Sequence, residues 1–362
     1  MSDTALKLQQ VRGLLAARDL DAILLKRICN FAWLADGASS YVNTAADQGA
    51  ASLLITADRQ YVLTNNIEAT RIGDEEPLRG EGFDFAVDPW HGPSSALAAL
   101  TAGLRLGADA PDGAAADVSA ELNNLRLRLT PAEGERFRGL GRICADAMDA
   151  AIRQVTPGMT EYQIAGLLAA ETLAREALPI VNLIATDERI FRYRHPLPTA
   201  KALDRYAMLV LCGRKHGLVC SITRLIHFGP LSHELRRKES ACARVDATMI
   251  AQTRPGATLG NLFQATMDAY AAEGFPGEWQ LHHQGGPAGY NPREAVATPA
   301  STEMVAQGQV YAWNPSITGL KSEDTILVGA TTNEVLTTIA GWPTITVNVA
   351  GQVWTRPAVL VA

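Results

Sequence analysis

The chain has 362 residues, 47% of them hydrophobic, and a formal net charge of −6. That length allows about two domains with sizeable cores, and the acidic balance excludes the basic footprint of a nucleic-acid binder. No uninterrupted apolar run approaches the roughly 20 residues that a membrane span requires, and the N-terminus Met1-Ser2-Asp3-Thr4 has neither the cationic nor the apolar region of a signal peptide.

The five cysteines, Cys29, Cys144, Cys212, Cys220 and Cys242, are odd in number and lack a metal-finger spacing. They read as free thiols in a reducing, cytoplasmic compartment. Leu6, Val11, Leu14 and Leu15 predict one face of a first helix. Residues 22–25 form a short apolar strand. Residues 51–56 and 61–64 predict two more, joined by a polar turn at 57–60. Residues 94–104 suit a helix with Ser94 or Ser95 as its N-cap. This alternation is that of an α/β domain. Residues 112–117 are weakly structured by composition, and Leu125-Arg126-Leu127-Arg128-Leu129 alternates like a strand. Thr130-Pro131-Ala132-Glu133 then has Thr at N-cap, Pro at N1 and Glu at N3. The domain boundary is placed there, giving domains 1–128 and 129–362. The helix it opens is expected to reach about Val155, before Pro157-Gly158.

The second domain contains an internal repeat. Cys144-Ala145, Ile152, Gln154, Pro157-Gly158 and Thr160 recur as Cys242-Ala243, Ile250, Gln252, Pro255-Gly256 and Thr258, all at one constant offset. Residues 212–223 parallel 314–325 at a slightly larger offset, with Gly217-Leu218 against Gly319-Leu320 and Thr223 against Thr325. Two halves, each a helix pair followed by a β-hairpin, predict a pseudo-twofold domain. A curved sheet backed by helices would then hold a cleft between its halves.

On this duplicated frame the chain resembles the pita-bread family of creatinase, prolidase, aminopeptidase P and methionine aminopeptidase. Thr156-Pro157-Gly158-Met159-Thr160-Glu161 resembles the family's P-G-x-T-E turn. Ser221-Ile222-Thr223-Arg224 resembles its D-I-T-R, and His283-Gln284-Gly285-Gly286 its H-G-I-G loop. Residues 308–315 resemble its G-M-V-x-x-x-E-P strand, and 322–328 its I-E-D-x-x-L-V strand. The similarity covers about residues 130–350. The expected fold is therefore an α/β creatinase-like N-terminal domain followed by an α+β pita-bread domain. In metal-dependent members two Asp, one His and two Glu hold two divalent ions. Here the first Asp position falls on Cys212 or Val210, the second on Ser221, and the first Glu on Asn314; His283 and Glu323 are kept. Ser and Asn supply no negative charge, so no metal or other cofactor is expected. A single zinc on Cys212, His283 and Glu323 is the chemically acceptable exception.

Creatinase, a family member that works without metal, implies a base histidine with acidic groups around a cationic substrate. The matching histidine is His195, within Arg192-Tyr193-Arg194-His195-Pro196. His283 would polarise a carbonyl, Glu323 would bind an amidine or guanidine, and Tyr290 would donate to an oxyanion. Arg192, Arg194 and Arg224 would engage a substrate carboxylate. Cys212, Ser221 and Asn314 would line the emptied metal site, with a nucleophilic Cys212 as a further option. The expected function is metal-independent hydrolysis of a small C–N substrate: a guanidino acid, a cyclic amidine or an amino-acid derivative. The competing readings are a non-catalytic binder of a small molecule, peptide or protein, and an Xaa-Pro metallopeptidase with atypical ligands. The resemblance also implies a homodimer.

Overall fold

The computed structural model describes residues 2–362. The chain divides into two compact units: one formed by residues up to Leu127 with His216–Leu218, the other by Arg128–Lys215 with Val219–Ala362.

The first unit is built on a six-stranded mixed sheet. Its strand order is Asp84–Asp88, Gln60–Asn65, Gln48–Thr56, Ala22–Arg27, Leu106–Ala108, Ala116–Asp117. The two apolar runs read as strands pair antiparallel, with Ser52 opposite Leu63. Ser2 caps the first helix, Asp3–Ala17, which buries Thr4, Leu8, Val11 and Leu15. Leu6 stays exposed, because it lies off that i, i+4, i+7 stripe. The helix expected over 94–104 spans only Ala96–Thr101. Ser94 and Ser95 instead bond the Asp88 carboxylate.

The expected strand at 125–129 is a misreading. Residues Ser119–Arg126 are helical, with Leu122 and Arg126 buried one turn apart on the same face. The Arg126 guanidinium donates to Asn30 and Asn123. A two-residue alternation of Leu and Arg fits either period over so short a run, and tertiary burial of Arg126 selects the helix.

The second unit carries the repeat as structure. Helices Pro131–Ile152 and Glu161–Leu173 precede strands Leu178–Thr186, Tyr206–Lys215 and Leu218–His227. Helices His233–Gln252 and Leu259–Ala272 precede strands Gly285–Ala288, Val310–Trp313 and Asp324–Leu327. Thr130 and Glu133 form the capping box that starts the first helix, and Thr160 and Thr258 cap the second helix of each half. The Pro-Gly turns do the same work twice: Gly158 N–H donates to the Leu203 carbonyl, and Gly256 N–H to that of Val305. The two sheets meet where Thr223 N–H donates to the Glu323 carbonyl at 3.1 Å. Among the described residues, no helix is long and apolar enough to cross a membrane.

A buried ion cluster locks this seam. Arg224 pairs with Asp324 at 2.8 Å, and Arg356 with Asp246 at 2.7 Å and with Asp324. Ser322 and Thr337 hydroxyls donate to the same carboxylates at 2.6 Å. All four charged residues are at most 4% exposed. Removing one partner of such a set leaves buried charge uncompensated. Arg356→Met is expected to lower the unfolding free energy by about 3–5 kcal/mol, read as a lower urea midpoint at unchanged slope. A loss within the range of an exposed ion pair would refute a locking role.

Candidate functional site

At the seam between the two sheets of the second unit lies a cavity of about 320 Å³, lined by Val181, Leu183, His195, Val210, Cys212, His283, Pro292, Arg293, Asn314, Lys321 and Glu323. Its floor follows from strand alternation: Val210 and Cys212 share one face of Tyr206–Lys215, and Leu183 lies opposite Val210.

Glu323 sits at the centre, 2% exposed. Its Oε1 accepts from Arg293 Nη2 at 2.8 Å. Its Oε2 accepts from the Thr223 hydroxyl at 2.6 Å and lies 2.9 Å from Lys321 Nζ. Burial alone would raise this carboxyl, but Lys321 and Arg293 outweigh it and hold it well below the usual carboxylate range. Arg293 Nη1 also donates to Ser221 Oγ at 3.2 Å, and Ser221 Oγ lies 3.2 Å from Cys212 Sγ. Two cationic side chains and one carboxylate therefore leave the site with a net positive charge.

His195 and His283 line the cavity beside these charges, and His282 packs against both. His195 Nε2 and His282 Nε2 are 3.0 Å apart, so one ring donates to the other. The His282 and His283 rings stack at 4.5 Å between centroids. Desolvation is the first cause of a lowered affinity for protons in all three, only partial at His195, which is an exposed residue, and Lys321 adds to it. His282 is pushed down to about 2 and His283 to about 4; His195 is lowered too, although Glu323 opposes the shift. All three are thus neutral at pH 7. Local structure fixes the pair: Tyr270 O–H donates to Gln284, whose amide in turn donates to the His282 carbonyl. At Gly285, φ is +103°, and a Cβ there would lie 2.1 Å from the Ala312 carbonyl oxygen, so only glycine lets the strand after His283 approach its neighbour. His195 is held through Arg194, which bonds Glu278 and Thr318 at 2.9 and 3.0 Å.

The cavity thus gathers His195, His283, Cys212, Asn314 and Glu323, with Ser221 behind Arg293. It does not gather the other expected residues. Arg194 is spent on Glu278 and Thr318. Arg192 is exposed, over the Tyr193 ring. Arg224 is sequestered by Asp324 and by the carbonyls of Thr223, Glu323 and Thr337, so it is not Glu323's ionic partner. Tyr290 O–H donates to Glu133 at 2.6 Å, at the start of a helix. Burial, with the Glu323 charge, raises the Cys212 thiol to about 11, so it stays protonated near neutrality and is no thiolate nucleophile.

Arg293, Lys321 and His282 escaped the sequence reading. One signal was available: Lys321 and Glu323 carry opposite charges two residues apart, on one side of an extended segment. Nothing in its spacing marked Arg293, which reaches Glu323 from 30 residues away.

The donor set does not fit two divalent ions. One carboxylate remains, both its oxygens are engaged, and the Arg293 guanidinium spans Ser221 and Glu323. The same engagement denies Glu323 to a single zinc with Cys212 and His283. Among the described residues, the donor atoms of His195, His282 and His283 lie within 4.8 Å of one another, but the neighbouring ammonium of Lys321 opposes a divalent cation there.

Comparison with known proteins agrees with this architecture. The chain is 26% identical over 211 residues to the agropine synthesis cyclase of Rhizobium rhizogenes; the match spans about half of each chain, 51% of this one and 52% of that relative. The Xaa-Pro dipeptidase from Bacillus anthracis superposes with a TM-score of 0.80 at 19% identity, over 99% of this chain and 100% of that one. The prolidase from Pyrococcus horikoshii OT3 gives 0.79 at 18% identity, over 92% of this chain and 98% of that one. At such identities the structures establish the shared two-domain, pita-bread fold. Residues 135–330 match the model of metallopeptidase family M24, and the chain belongs to that family.

Proposed function

We propose that the protein is a metal-independent hydrolase of a small C–N substrate that carries a carboxylate, with His195 as its acid/base group. The observation that supports this most directly is the Arg293–Glu323–Lys321 triplet, which stands among the family's ligand positions and gives the cavity positive charge. A guanidinium or amidinium group, expected from sequence to sit on Glu323, would meet a carboxylate already saturated by two cations. An amino-acid-derived amide with a free carboxylate suits the site better. Its carboxylate pairs with Arg293, whose Nε is buried without a partner. Its N–H meets Asn314 Oδ1, also buried and unpartnered.

The chemistry follows from the neutral histidines. When His195 donates its Nε2 proton to His282, its Nδ1 keeps a lone pair and takes a proton from water. The water oxygen bonds to the carbonyl carbon, the C–N bond breaks, and His195 returns the proton to the leaving nitrogen. His282, whose proton affinity is lowest, holds the His195 ring without competing for that proton.

A panel of small carboxylate-bearing amides and ureas, with creatine as the guanidino contrast, tests this reading by release of amine or ammonia. Chelation with EDTA is expected to leave turnover unchanged, and His195→Asn to lower kcat by about 10²–10⁴-fold with ligand binding retained. Chelator-sensitive turnover restored by a divalent metal would overturn it; ligand binding with no turnover on any panel member would indicate a binding protein.

The pH profile offers a second check. Activity needs neutral His195, so it is present above the His195 pKa and lost as pH falls through it. Because that pKa is lowered, the acid limb of kcat/KM is expected below the ordinary histidine value of about 6.5. An acid limb above that value would exclude His195 as the base.

The relative named agropine synthesis cyclase favours a second reading, ring closure within one substrate. The substrate's own hydroxyl or amine would replace water as the nucleophile, with the same base. Turnover in H₂¹⁸O separates the two: hydrolysis places ¹⁸O in the product carboxylate, and ring closure does not.

A further inference from the structure

Attack on an amide carbonyl moves an electron pair onto its oxygen, and a hydrolase must hold that charge. In a dinuclear site the metal ions can do so as Lewis acids; the donor set here does not fit them. The group best placed to substitute is Lys321. It lines the cavity, is 5% exposed, and has Glu323 as its ion partner at 2.9 Å. An ammonium has three donors, so Lys321 retains donors beyond the one facing Glu323. Glu323 is itself fixed by Thr223 and Arg293, which keeps Nζ in place before substrate arrives. Charge balance does not explain the residue, since Arg293 alone would neutralise Glu323. A second buried cation there is an excess that folding does not call for. Arg293 is less free for this task, because its terminal nitrogens serve Ser221, the Pro292 carbonyl and Glu323.

We propose that Lys321 is a catalytic residue whose ammonium donates to the substrate's carbonyl oxygen and carries the oxyanion, taking the electrostatic place of a metal ion. The inference rests on the hydrolase reading above. Lys321 gives a hydrogen bond and transfers no proton. The water proton passes to His195, the carbonyl π pair moves to the oxygen facing Lys321, and its return expels the nitrogen, which takes the proton from His195.

On the amide panel, Lys321→Met should lower kcat by about 10²–10³-fold, with KM changed less than about threefold. Ethylammonium added to Lys321→Ala should restore turnover saturably. Where Lys321→Met proves too unstable, Lys321→Arg decides: moving the charge should lower kcat at least about tenfold at unchanged KM, whereas mere pairing with Glu323 would leave kcat intact. An arm independent of turnover uses calorimetry with a phosphonate analogue of the tetrahedral intermediate, which should lose at least about 100-fold in affinity in Lys321→Met while N-acetylglycine binds as before. Unchanged kcat and phosphonate affinity, with His195→Asn inactive, would overturn the role of Lys321 and leave the hydrolase reading standing. A wild-type protein without turnover that binds the phosphonate no better than N-acetylglycine would remove both. A folded Lys321→Ala that ethylammonium does not restore would assign Lys321 a structural role and overturn the inference.

Discussion

The second unit is organised around one carboxylate shared by two cations. Glu323 holds Arg293 through one oxygen and Lys321 and Thr223 through the other. Each partner comes from a different segment, so a single buried charge ties together the middle of strand Leu218–His227 at Thr223, the loop after Gly289 and the short hairpin that ends at Lys321. Burial makes such charges expensive on their own and strong in combination. The same triplet decides the character of the cavity. It leaves net positive charge in a space whose remaining groups are neutral, and it occupies the donors that a divalent ion would need.

Gene-duplication geometry explains why this happens at a seam. The two halves repeat helix, helix and three strands, and their sheets touch where Thr223 meets Glu323. The equivalent positions Cys212 and Asn314 of the two halves both line the cavity. Immediately behind, Arg224, Asp324, Arg356 and Asp246 form a closed set of ion pairs. Neighbours in sequence are divided between the two clusters: Glu323 faces the cavity and Asp324 the structural lock. Extended backbone sends successive side chains to opposite sides, and this alternation keeps the charge that faces the cavity separate from the stabilising one.

Desolvation comes first, and the neighbouring cations second, in lowering the proton affinity of the three histidines. Burial lowers the proton affinity of all three rings, and Lys321 deepens the effect, leaving neutral imidazoles at neutral pH. Neutral rings can pass a proton between water and a leaving nitrogen; charged ones could not accept it. Lys321 thus bears on the site twice, through its field on the histidines and through its ion pair with Glu323.

The sequence by itself determined the frame. Proline, glycine and capping threonines set helix starts and stops through local backbone geometry, and their recurrence at a constant offset disclosed the duplicated domain. Ordered motifs located His195, His283, Cys212, Asn314 and Glu323, and those five do line one cavity. Only the tertiary structure decided what these residues meet. It gave Glu323 to Arg293 and Lys321, sent Arg224 to Asp324, tied Tyr290 to Glu133 and turned residues 119–126 into a helix. The physical reason is range. Caps and turns are satisfied within a few residues, so spacing reveals them, whereas a buried charge takes its partner from whichever segment the packed chain brings alongside.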